Sequence, residues 1–274
     1  MARSRKRLKR TSTKSNGGTT ALAIISIVVC VILIFGALFG AQVMMAKSEI
    51  NEETLCHIDA DLDVAVVLLD LTDPLNAIQQ SNLTGMLDRE IARASTDTLF
   101  SLGVVSADPA NWGAKFTKCK PETGAQANAV YQNPSQIADR YKVEFQQPLA
   151  VTLVDMLDAD EEQQSPIMEA LQALISDTPE FGNKRGQRRI IIVSDMLQHS
   201  ETLSFYRGQG WEYFSTTGGV ERLAGNLTDV SVTIVRIPRI GQNVPSREQS
   251  DEFWVRYFDR QGSEIPTVRS LGDL

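Results

Sequence analysis

Five oxygen-bearing side chains lie at or near the ends of apolar segments of the chain. They are Asp70, Thr72, Asp73, Ser165 and Asp195. The first three follow the apolar run 64–69, and Asp195 follows the apolar run 190–193. Such runs are typical of buried parallel strands, and ligands of open parallel sheets bind beyond the carboxyl ends of the strands. We therefore expect these side chains to share one edge of a sheet, where their oxygens suit a hard divalent cation such as Mg²⁺.

The elements that must position these residues alternate between strands and helices. The pattern predicts strands at 64–69, 98–105, 190–193 and 230–237, and helices at 83–94, 135–157, 166–176, 218–226 and 246–258. Ser165 is predicted as the N-cap of the helix that begins at Pro166. Residues 106–134 are predicted as an irregular excursion. The alternation predicts one α/β domain over 62–274, with a doubly wound, mostly parallel sheet and helices on both of its faces.

An apolar segment precedes this domain. Residues 21–41 contain no charged residue, and a run of about 20 apolar residues is long enough to span a bilayer as a helix. We predict a transmembrane helix at 21–46 and a polar stalk at 47–61. A cleaved signal peptide is the main alternative, but its apolar region is usually shorter, about 7–15 residues.

The charges of the chain are divided between its two ends. Residues 1–20 carry seven basic residues and no acidic residue, whereas the rest of the chain carries 20 basic and 34 acidic residues. A basic flank predicts that residues 1–20 form a cytoplasmic tail, which places the main domain in the periplasm and the protein in the inner membrane. The acidic domain argues against nucleic-acid binding.

Two pairs of residues give predictions about covalent and helix–helix contacts. Cys56 and Cys119 fall in the exported part, where a disulfide is permitted, so we predict that they pair; two free thiols are the alternative. Gly36 and Gly40 form a G-x-x-x-G pattern that allows two membrane helices to approach closely. This pattern predicts a homo-oligomer, although glycines are also common in membrane helices that do not pair.

The chain resembles the von Willebrand factor A-like family over about residues 62–240. The segments VVLLDLTDPL, SPIMEAL and RRIIIVSDM carry the resemblance. The metal-ion-dependent adhesion site of that family uses an Asp-x-Ser-x-Ser loop, a Thr from a later loop and an Asp at the end of the fourth strand. The resemblance therefore implies that Asp70, Thr72, Ser165 and Asp195 hold a metal, with Mg²⁺ as the expected ion.

Two positions depart from the family pattern. Pro74 replaces the second Ser of the loop and has no side-chain ligand atom, and Met196 replaces the Gly that usually follows the last Asp. Asp73 is an additional carboxylate that can substitute for the missing hydroxyl. A further alternative is that Thr72 and Ser165 only cap helices and that Asp70 only bonds a turn.

The function expected from these features is that of a membrane-anchored, non-catalytic protein-binding module, a subunit or adaptor of an envelope complex. Aromatic residues near the predicted ligand edge, Trp211, Tyr213 and Phe214, either anchor a partner or pack as a lid on the core. The alternative is a membrane-tethered, metal-dependent phosphohydrolase that uses Asp70 as its nucleophile. In this respect the strand resembles that of a haloacid-dehalogenase-type phosphatase, a family that has a second Asp, its general acid, where Thr72 stands here. The sequence also lacks a G-x-S-x-G motif. His199 is interpreted as a solvated loop residue, with a position at the rim of the site as the alternative.

Overall fold

A computed structural model describes residues 25–37, 49–58, 60–127, 132–158, 160–182, 185–238 and 246–272. The chain divides into two compact units, Met1–Ser48 and Glu49–Leu274. In the first unit, residues 25–37 form helix α1, whose side chains are all exposed. In the part of the chain that is described, no helix combines the length and the apolarity needed to cross a membrane. The predicted tail 1–20, Gly40 and both ends of the predicted membrane segment lie outside the described residues.

The second unit is built on a six-stranded sheet. Its strands are Val64–Asp70 (β1), Leu99–Val105 (β2), Phe116–Cys119 (β3), Arg188–Ser194 (β4), Val230–Arg236 (β5) and Thr267–Ser270 (β6). Their order is β3-β2-β1-β4-β5-β6, and every neighbouring pair is parallel except β2 and β3. This is the order of a doubly wound α/β sheet. The predicted fold class is therefore confirmed for the second unit.

The central strands are buried on both faces because they separate two cores. All seven residues of β1 are buried. Alternate residues point to opposite faces, so Val66 and Leu68 join one core while Val67 and Leu69 join the other. The apolar run that predicted this strand has no polar alternation because neither face meets water.

Helices cover both faces of the sheet. They are Ala77–Arg93 (α2), Pro134–Arg140 (α3), Gln147–Leu157 (α4), Ile167–Asp177 (α5), Trp211–Thr216 (α6), Gly219–Leu223 (α7) and Arg247–Arg260 (α8). A π-helical turn, Tyr141–Gln146, joins α3 to α4. The buried residues of α5 and α8 pack in one core, and those of α2 and α4 pack in the other.

Two edge strands were not predicted. Strand β3 lies inside the predicted excursion 106–134 and pairs antiparallel with β2, and β6 pairs with the outer edge of β5. Each has four residues. Edge strands of this length carry no continuous apolar run, because one side of the strand faces solvent and much of its stability comes from pairing with the neighbouring strand.

The predicted disulfide is present. The Sγ atoms of Cys56 and Cys119 are bonded, and the two Cα atoms are 4.9 Å apart. Cys119 ends strand β3 and pairs with Leu99 at the start of β2, so it is not a loop residue as predicted. Within the residues predicted as a stalk, Leu55 and Cys56 are buried, and the backbone N–H of Cys119 donates to the Thr54 carbonyl at 2.7 Å. The bond therefore joins residues 49–58 to the sheet.

Candidate functional site

The register of the sheet brings two strand ends together. Leu69 of β1 pairs with Val193 of β4, so the residues that follow, Asp70 and Ser194, lie side by side at the carboxyl edge. The Ser194 hydroxyl donates to Asp70 Oδ2 at 2.6 Å across 124 residues of sequence. The sheet therefore places the ends of both predicted ligand strands at one point.

The Asp70 carboxylate collects hydroxyl groups from three segments. Its Oδ1 accepts from Thr72 Oγ1 at 2.7 Å, and its Oδ2 accepts from Ser165 Oγ at 3.0 Å and from Ser194 Oγ. The Thr72 backbone N–H also donates to Oδ1, at 3.4 Å. Asp70 is only 3% exposed. Because both oxygens accept hydrogen bonds and are buried, this carboxylate organises the side chains around it.

Ser165 reaches Asp70 because a backbone bridge holds it there. Its N–H donates to the His199 carbonyl at 2.9 Å, and the His199 N–H donates to the Ser165 carbonyl at 2.8 Å. The prediction that Ser165 caps the following helix is wrong: the N-cap of α5 is Pro166, without a side-chain cap bond. The Gln198 side chain instead accepts from the Met168 N–H at 3.0 Å. A hydrogen bond to Gln198, a residue distant in sequence, thus takes the place of the predicted cap by Ser165.

The turn after β4 has a strained backbone conformation. Met196 has a φ of 65°, which lies in the left-handed region that favours glycine. This is the position at which the family that the chain resembles usually has Gly. Its N–H donates to Ser194 Oγ at 2.7 Å, and its carbonyl accepts from Trp254 Nε1 at 2.9 Å and Ser250 Oγ at 3.1 Å. Helix α8 therefore holds the strained turn in place, and the turn sets the position of the neighbouring Asp195.

The Asp195 carboxylate differs from that of Asp70 in its surroundings. Its Oδ1 accepts from the Leu197 N–H at 2.9 Å, and its backbone carbonyl accepts from an Arg236 Nη1 at 2.9 Å. Burial lowers the pKa of Arg236 against the opposing effect of the Asp251 carboxylate, with which it forms an ion pair. Asp195 thus stands on a turn fixed by an arginine and by α8.

A cleft of about 300 Å³ opens beyond these strand ends. Four of the five predicted ligand residues line it, namely Thr72, Asp73, Ser165 and Asp195, and Asp70 lies beneath them, bonded to two of them. The sequence prediction that these residues share one edge of the sheet therefore agrees with their placement.

The oxygens of the cleft fit a hard divalent cation. The hydroxyls of Thr72 and Ser165, which both line the cleft, donate to Asp70, so their oxygens keep lone pairs that can accept from a donor or bind a cation. Asp195 adds a carboxylate, whereas the exposed Pro74 adds no side-chain ligand. Among the described residues, no three His, Cys, Asp or Glu side chains converge on a metal position. A cation here would therefore depend on hydroxyls and water, a combination that Mg²⁺ accepts.

His199 belongs to the same cleft, contrary to its interpretation as a solvated loop residue. Its ring packs edge-on against Tyr206, with the ring centroids 5.4 Å apart. Burial and, secondarily, the charge of Arg207 lower the pKa of its imidazole. The sequence alone did not favour this placement, because the placement depends on the backbone bridge to Ser165.

Glu162 is a lining residue that the sequence did not single out. Its N–H donates to the Thr72 carbonyl at 2.8 Å, and its carboxylate accepts from Ser106 Oγ at 2.8 Å and from the Ala107 N–H. The acidic stretch 158–162 ahead of α5 was the available signal. Glu162 ties the loop after β1 to the loop after β2.

The three predicted partner-binding aromatics are placed differently from one another. Phe214 is fully buried, and its ring packs against Phe253 and Tyr257 of α8. Trp211 is half-buried and lines a second cleft, of about 280 Å³, beside α8, whereas Tyr213 is 39% exposed. Phe214 is therefore a core residue, since no partner can reach it in this fold. The alternative of aromatics packed on the domain's own core applies to this position.

No known family model matches the chain, and no curated protein matches it in sequence. In fold it is similar to the SpRpn10 VWA domain, with 11% identity and a TM-score of 0.40 over 77% of this chain and 93% of that chain. It is also similar to the conserved hypothetical protein BatB from Bacteroides thetaiotaomicron, with 12% identity and a TM-score of 0.38 over 76% and 90%.

A third solved structure is proximal thread matrix protein 1 from the mussel byssus, which has a zinc occupied MIDAS motif. The identity is 12% and the TM-score 0.35, over 78% of this chain and 42% of that chain. Likeness at these identities and scores carries no argument about function. The fold rests on the strand order and register described above.

Proposed function

We propose that this protein is a membrane-anchored, non-catalytic binding module that holds a partner protein at the cleft beyond β1 and β4. It would serve as a subunit or adaptor of an envelope complex. The observation that supports the proposal is the Asp70 network, which fixes by hydrogen bonds the Thr72 and Ser165 side chains that line the cleft. A network of this kind positions ligand atoms and contains no exposed nucleophile.

The cleft is the proposed site of a divalent cation, with Mg²⁺ as the first candidate. Thr72, Ser165 and Asp195 would hold it, and Asp73 would compensate for the missing hydroxyl at Pro74. When bound, the cation would supply positive charge that attracts a carboxylate of the partner. The −14 charge of residues 21–274 favours a partner whose surrounding surface is basic, with an attraction that salt screens.

Membrane anchoring through residues 21–46 belongs to the proposal. It is supported by the uncharged apolar run and by the exposed apolar side chains of α1. The basic flank favours a cytoplasmic N-terminus and a periplasmic domain. The disulfide between Cys56 and Cys119 supports this placement, because such bonds persist in oxidising compartments.

The proposal is tested by recovering the full-length chain from its native membranes with its bound proteins. Three forms are compared in millimolar Mg²⁺ and in chelator: the natural chain, Asp195→Asn and Asp259→Asn. Asp195 lines the cleft, whereas Asp259 is an exposed carboxylate of α8, so the second substitution makes the same chemical change away from the site.

The expected result is one set of partner proteins that depends on Mg²⁺, is lost from Asp195→Asn and is retained by Asp259→Asn. Recovery of the same proteins in chelator and with Asp195→Asn would show that the cleft does not bind the partner. Hydrolysis of phosphate esters by the purified natural chain, abolished in Asp70→Asn, would instead establish the enzyme alternative.

A further inference from the structure

A polar pocket of about 230 Å³ lies at the amino end of the sheet, where β1 and β4 begin. Among the described residues that line it, three are arginines and one, Asp63, is acidic. The arginines are Arg93, Arg188 and Arg189. This excess of positive charge is local, because residues 21–274 as a whole carry 20 basic and 34 acidic residues. The pocket is therefore a basic site on an acidic domain.

The register of the sheet determines where Arg189 lies. Arg189 of β4 pairs with Ala65 of β1 and with Ser231 of β5. Ala65 in turn pairs with Phe100 of β2. Paired residues of neighbouring strands point to the same face, so the four side chains form one row across the sheet. Because Ala65 is short, the Arg189 guanidinium reaches the Phe100 ring, with its central carbon 5.9 Å from the ring centroid.

The charge of Arg189 has no counter-charge in the domain. Among the residues that the structure describes, no carboxylate lies within ion-pair distance of its guanidinium. The neighbouring cation, Lys120, donates instead to the carbonyls of Ala94 at 2.6 Å and Ala92 at 3.3 Å. Burial and, secondarily, the charge of Arg189 lower the pKa of Lys120. Two cations thus repel each other, and a bound anion would offset that repulsion.

The other two arginines differ in how firmly they are held. Arg188 is buried, and its guanidinium donates to the carbonyls of Phe181 and Thr228, so it is a fixed positive charge. Arg93 ends α2 and pairs with Glu90 at 3.5 Å, but its side chain is 65% exposed. An exposed ion pair contributes little stability, so Arg93 is free to turn toward a ligand.

We infer that this pocket binds a phosphate group, carried either by a free phosphate or by the headgroup of an anionic lipid. Arginine presents several N–H donors in a planar fork that matches phosphate oxygens. The hydroxyls of Ser95, Thr98 and Ser231 also line the pocket and supply further donors. Asp63 opposes an anion with one negative charge, and its Oδ1 already accepts from the Gln187 N–H at 2.9 Å. This second site is separate from the proposed partner cleft.

Calorimetry on the full-length chain in non-ionic detergent tests the inference. Inorganic phosphate is titrated at constant ionic strength into the natural chain, Arg189→Gln and Arg222→Gln. Arg222 is an exposed arginine of α7 that does not line the pocket, so its substitution removes the same charge elsewhere. We expect Arg222→Gln to bind phosphate as the natural chain does, and Arg189→Gln to bind it about tenfold more weakly or less.

A second pair of variants leaves the arginines in place. Arg189 also contacts Phe100, so its substitution changes the packing of the domain as well as its charge. Ser95 is an exposed lining residue, and Ser95→Glu adds a carboxylate to the pocket without changing the sheet. It should weaken phosphate binding by about tenfold, whereas Ser95→Gln, of the same size but uncharged, should bind phosphate as the natural chain does. Circular dichroism confirms the fold of each variant.

A soluble diester distinguishes the two sources of phosphate. Glycerophosphoglycerol, which is the headgroup of phosphatidylglycerol without its acyl chains, is titrated into the natural chain under the same conditions. Tighter binding of this diester than of inorganic phosphate indicates a lipid headgroup. Tighter binding of inorganic phosphate indicates a free phosphate.

Two results would overturn the inference. The first is that the natural chain binds neither inorganic phosphate nor the diester at millimolar concentration. The second is that folded Arg189→Gln or folded Ser95→Glu binds phosphate as tightly as the natural chain. Either result leaves the proposed function standing, because the partner cleft and its Asp195 are unchanged in these variants.

Discussion

The two ends of the sheet carry polar groups of opposite kinds. At the carboxyl end, carboxylates and hydroxyls lie beside a cleft of about 300 Å³. At the amino end, two buried cations donate to backbone carbonyls: Lys120 to Ala94 at 2.6 Å, and Arg188 to Thr228 at 2.5 Å. The disulfide also lies at this end, where Cys119 pairs with the first residue of β2.

The difference lies in what each end does with its polar atoms. The amino-end cations donate hydrogen bonds to carbonyls of the same domain, which offset the free-energy cost of burying their charges. At the carboxyl end, Asp70 accepts hydrogen bonds from the hydroxyls of Thr72 and Ser165, two residues that line the cleft. The buried cations and the disulfide of the amino end are therefore expected to govern stability, and the carboxyl end to govern partner binding through residues that stability does not need.

The largest expected effect is at the amino end. Replacing Cys56 and Cys119 together by Ser opens a loop with a sequence separation of 63 residues. The entropy regained by the unfolded chain corresponds to a loss of about 4 kcal/mol in the free energy of unfolding. Thermal unfolding followed by tryptophan fluorescence should show a lower Tm. Cys30→Ser, at an exposed free cysteine, should leave the Tm unchanged. Equal Tm values for all forms would show that the disulfide does not stabilise the domain.

The second effect separates the two carboxylates of the cleft. Asp70→Ala leaves the buried hydroxyls of Thr72, Ser165 and Ser194 without their acceptor, which should cost about 3 kcal/mol of unfolding free energy. Asp195→Ala should cost less, about 1 kcal/mol, because its Oδ1 accepts from a backbone N–H of its own turn, whereas Asp70 accepts from three segments of the chain. Denaturant unfolding measures both losses. Similar losses would contradict the division between an organising and a ligand-binding carboxylate.

The third effect weighs strain against burial at Met196. A Met196→Gly substitution relieves the left-handed backbone, worth about 1–2 kcal/mol. It also removes a side chain that is 0% exposed, which costs about 2–5 kcal/mol. We therefore expect a net loss of about 1–3 kcal/mol in denaturant unfolding. A gain in stability would mean that the backbone strain at Met196 costs more free energy than the burial of its side chain contributes.

The smallest effect concerns the pH dependence of the amino end. Burial, followed by the charge of Arg189, lowers the pKa of Lys120 below its ordinary value of 10.5. The unfolded chain then binds more protons than the folded chain between the lowered pKa and 10.5, so stability should rise with pH in that window. Lys120→Met should show a smaller rise in Tm as the pH is raised toward 10.5. An identical rise in Tm for the natural chain and Lys120→Met would show that other titratable groups cause the pH dependence.

The sequence predicted the buried strands and the long helices well because their pattern is local. Strand β1 is an unbroken apolar run, and α8 has the spacing of an amphipathic helix. It did not predict β3 or β6, whose four residues each become strands by pairing with a neighbour. It left open whether Phe214 anchors a partner or packs on the core, because the short helix α6 alone does not reveal that Phe214 packs against Phe253 of α8.

The ligand candidates were predictable as a set but not in their bonding. Strand-end positions identified Asp70 and Asp195, and the order of the segments identified Thr72 and Ser165. The hydroxyl of Ser194, the capping by Gln198 and the cleft position of His199 depend on contacts with residues distant in sequence. A single sequence gives no distance between such residues, so local rules assigned Ser165 to a helix cap and His199 to solvent.

By itself, the sequence determined which segments are buried, how the strands and helices alternate and which oxygen-bearing residues end the strands. These features follow from hydrophobic periodicity and turn chemistry, which act over a few residues. Only the tertiary structure decided that the Asp70 carboxylate is buried and accepts hydrogen bonds at both oxygens, while Asp195 lines the cleft. The physical reason is that hydrogen bonds and burial depend on which distant groups the sheet brings together, and the register between β1 and β4 sets that arrangement.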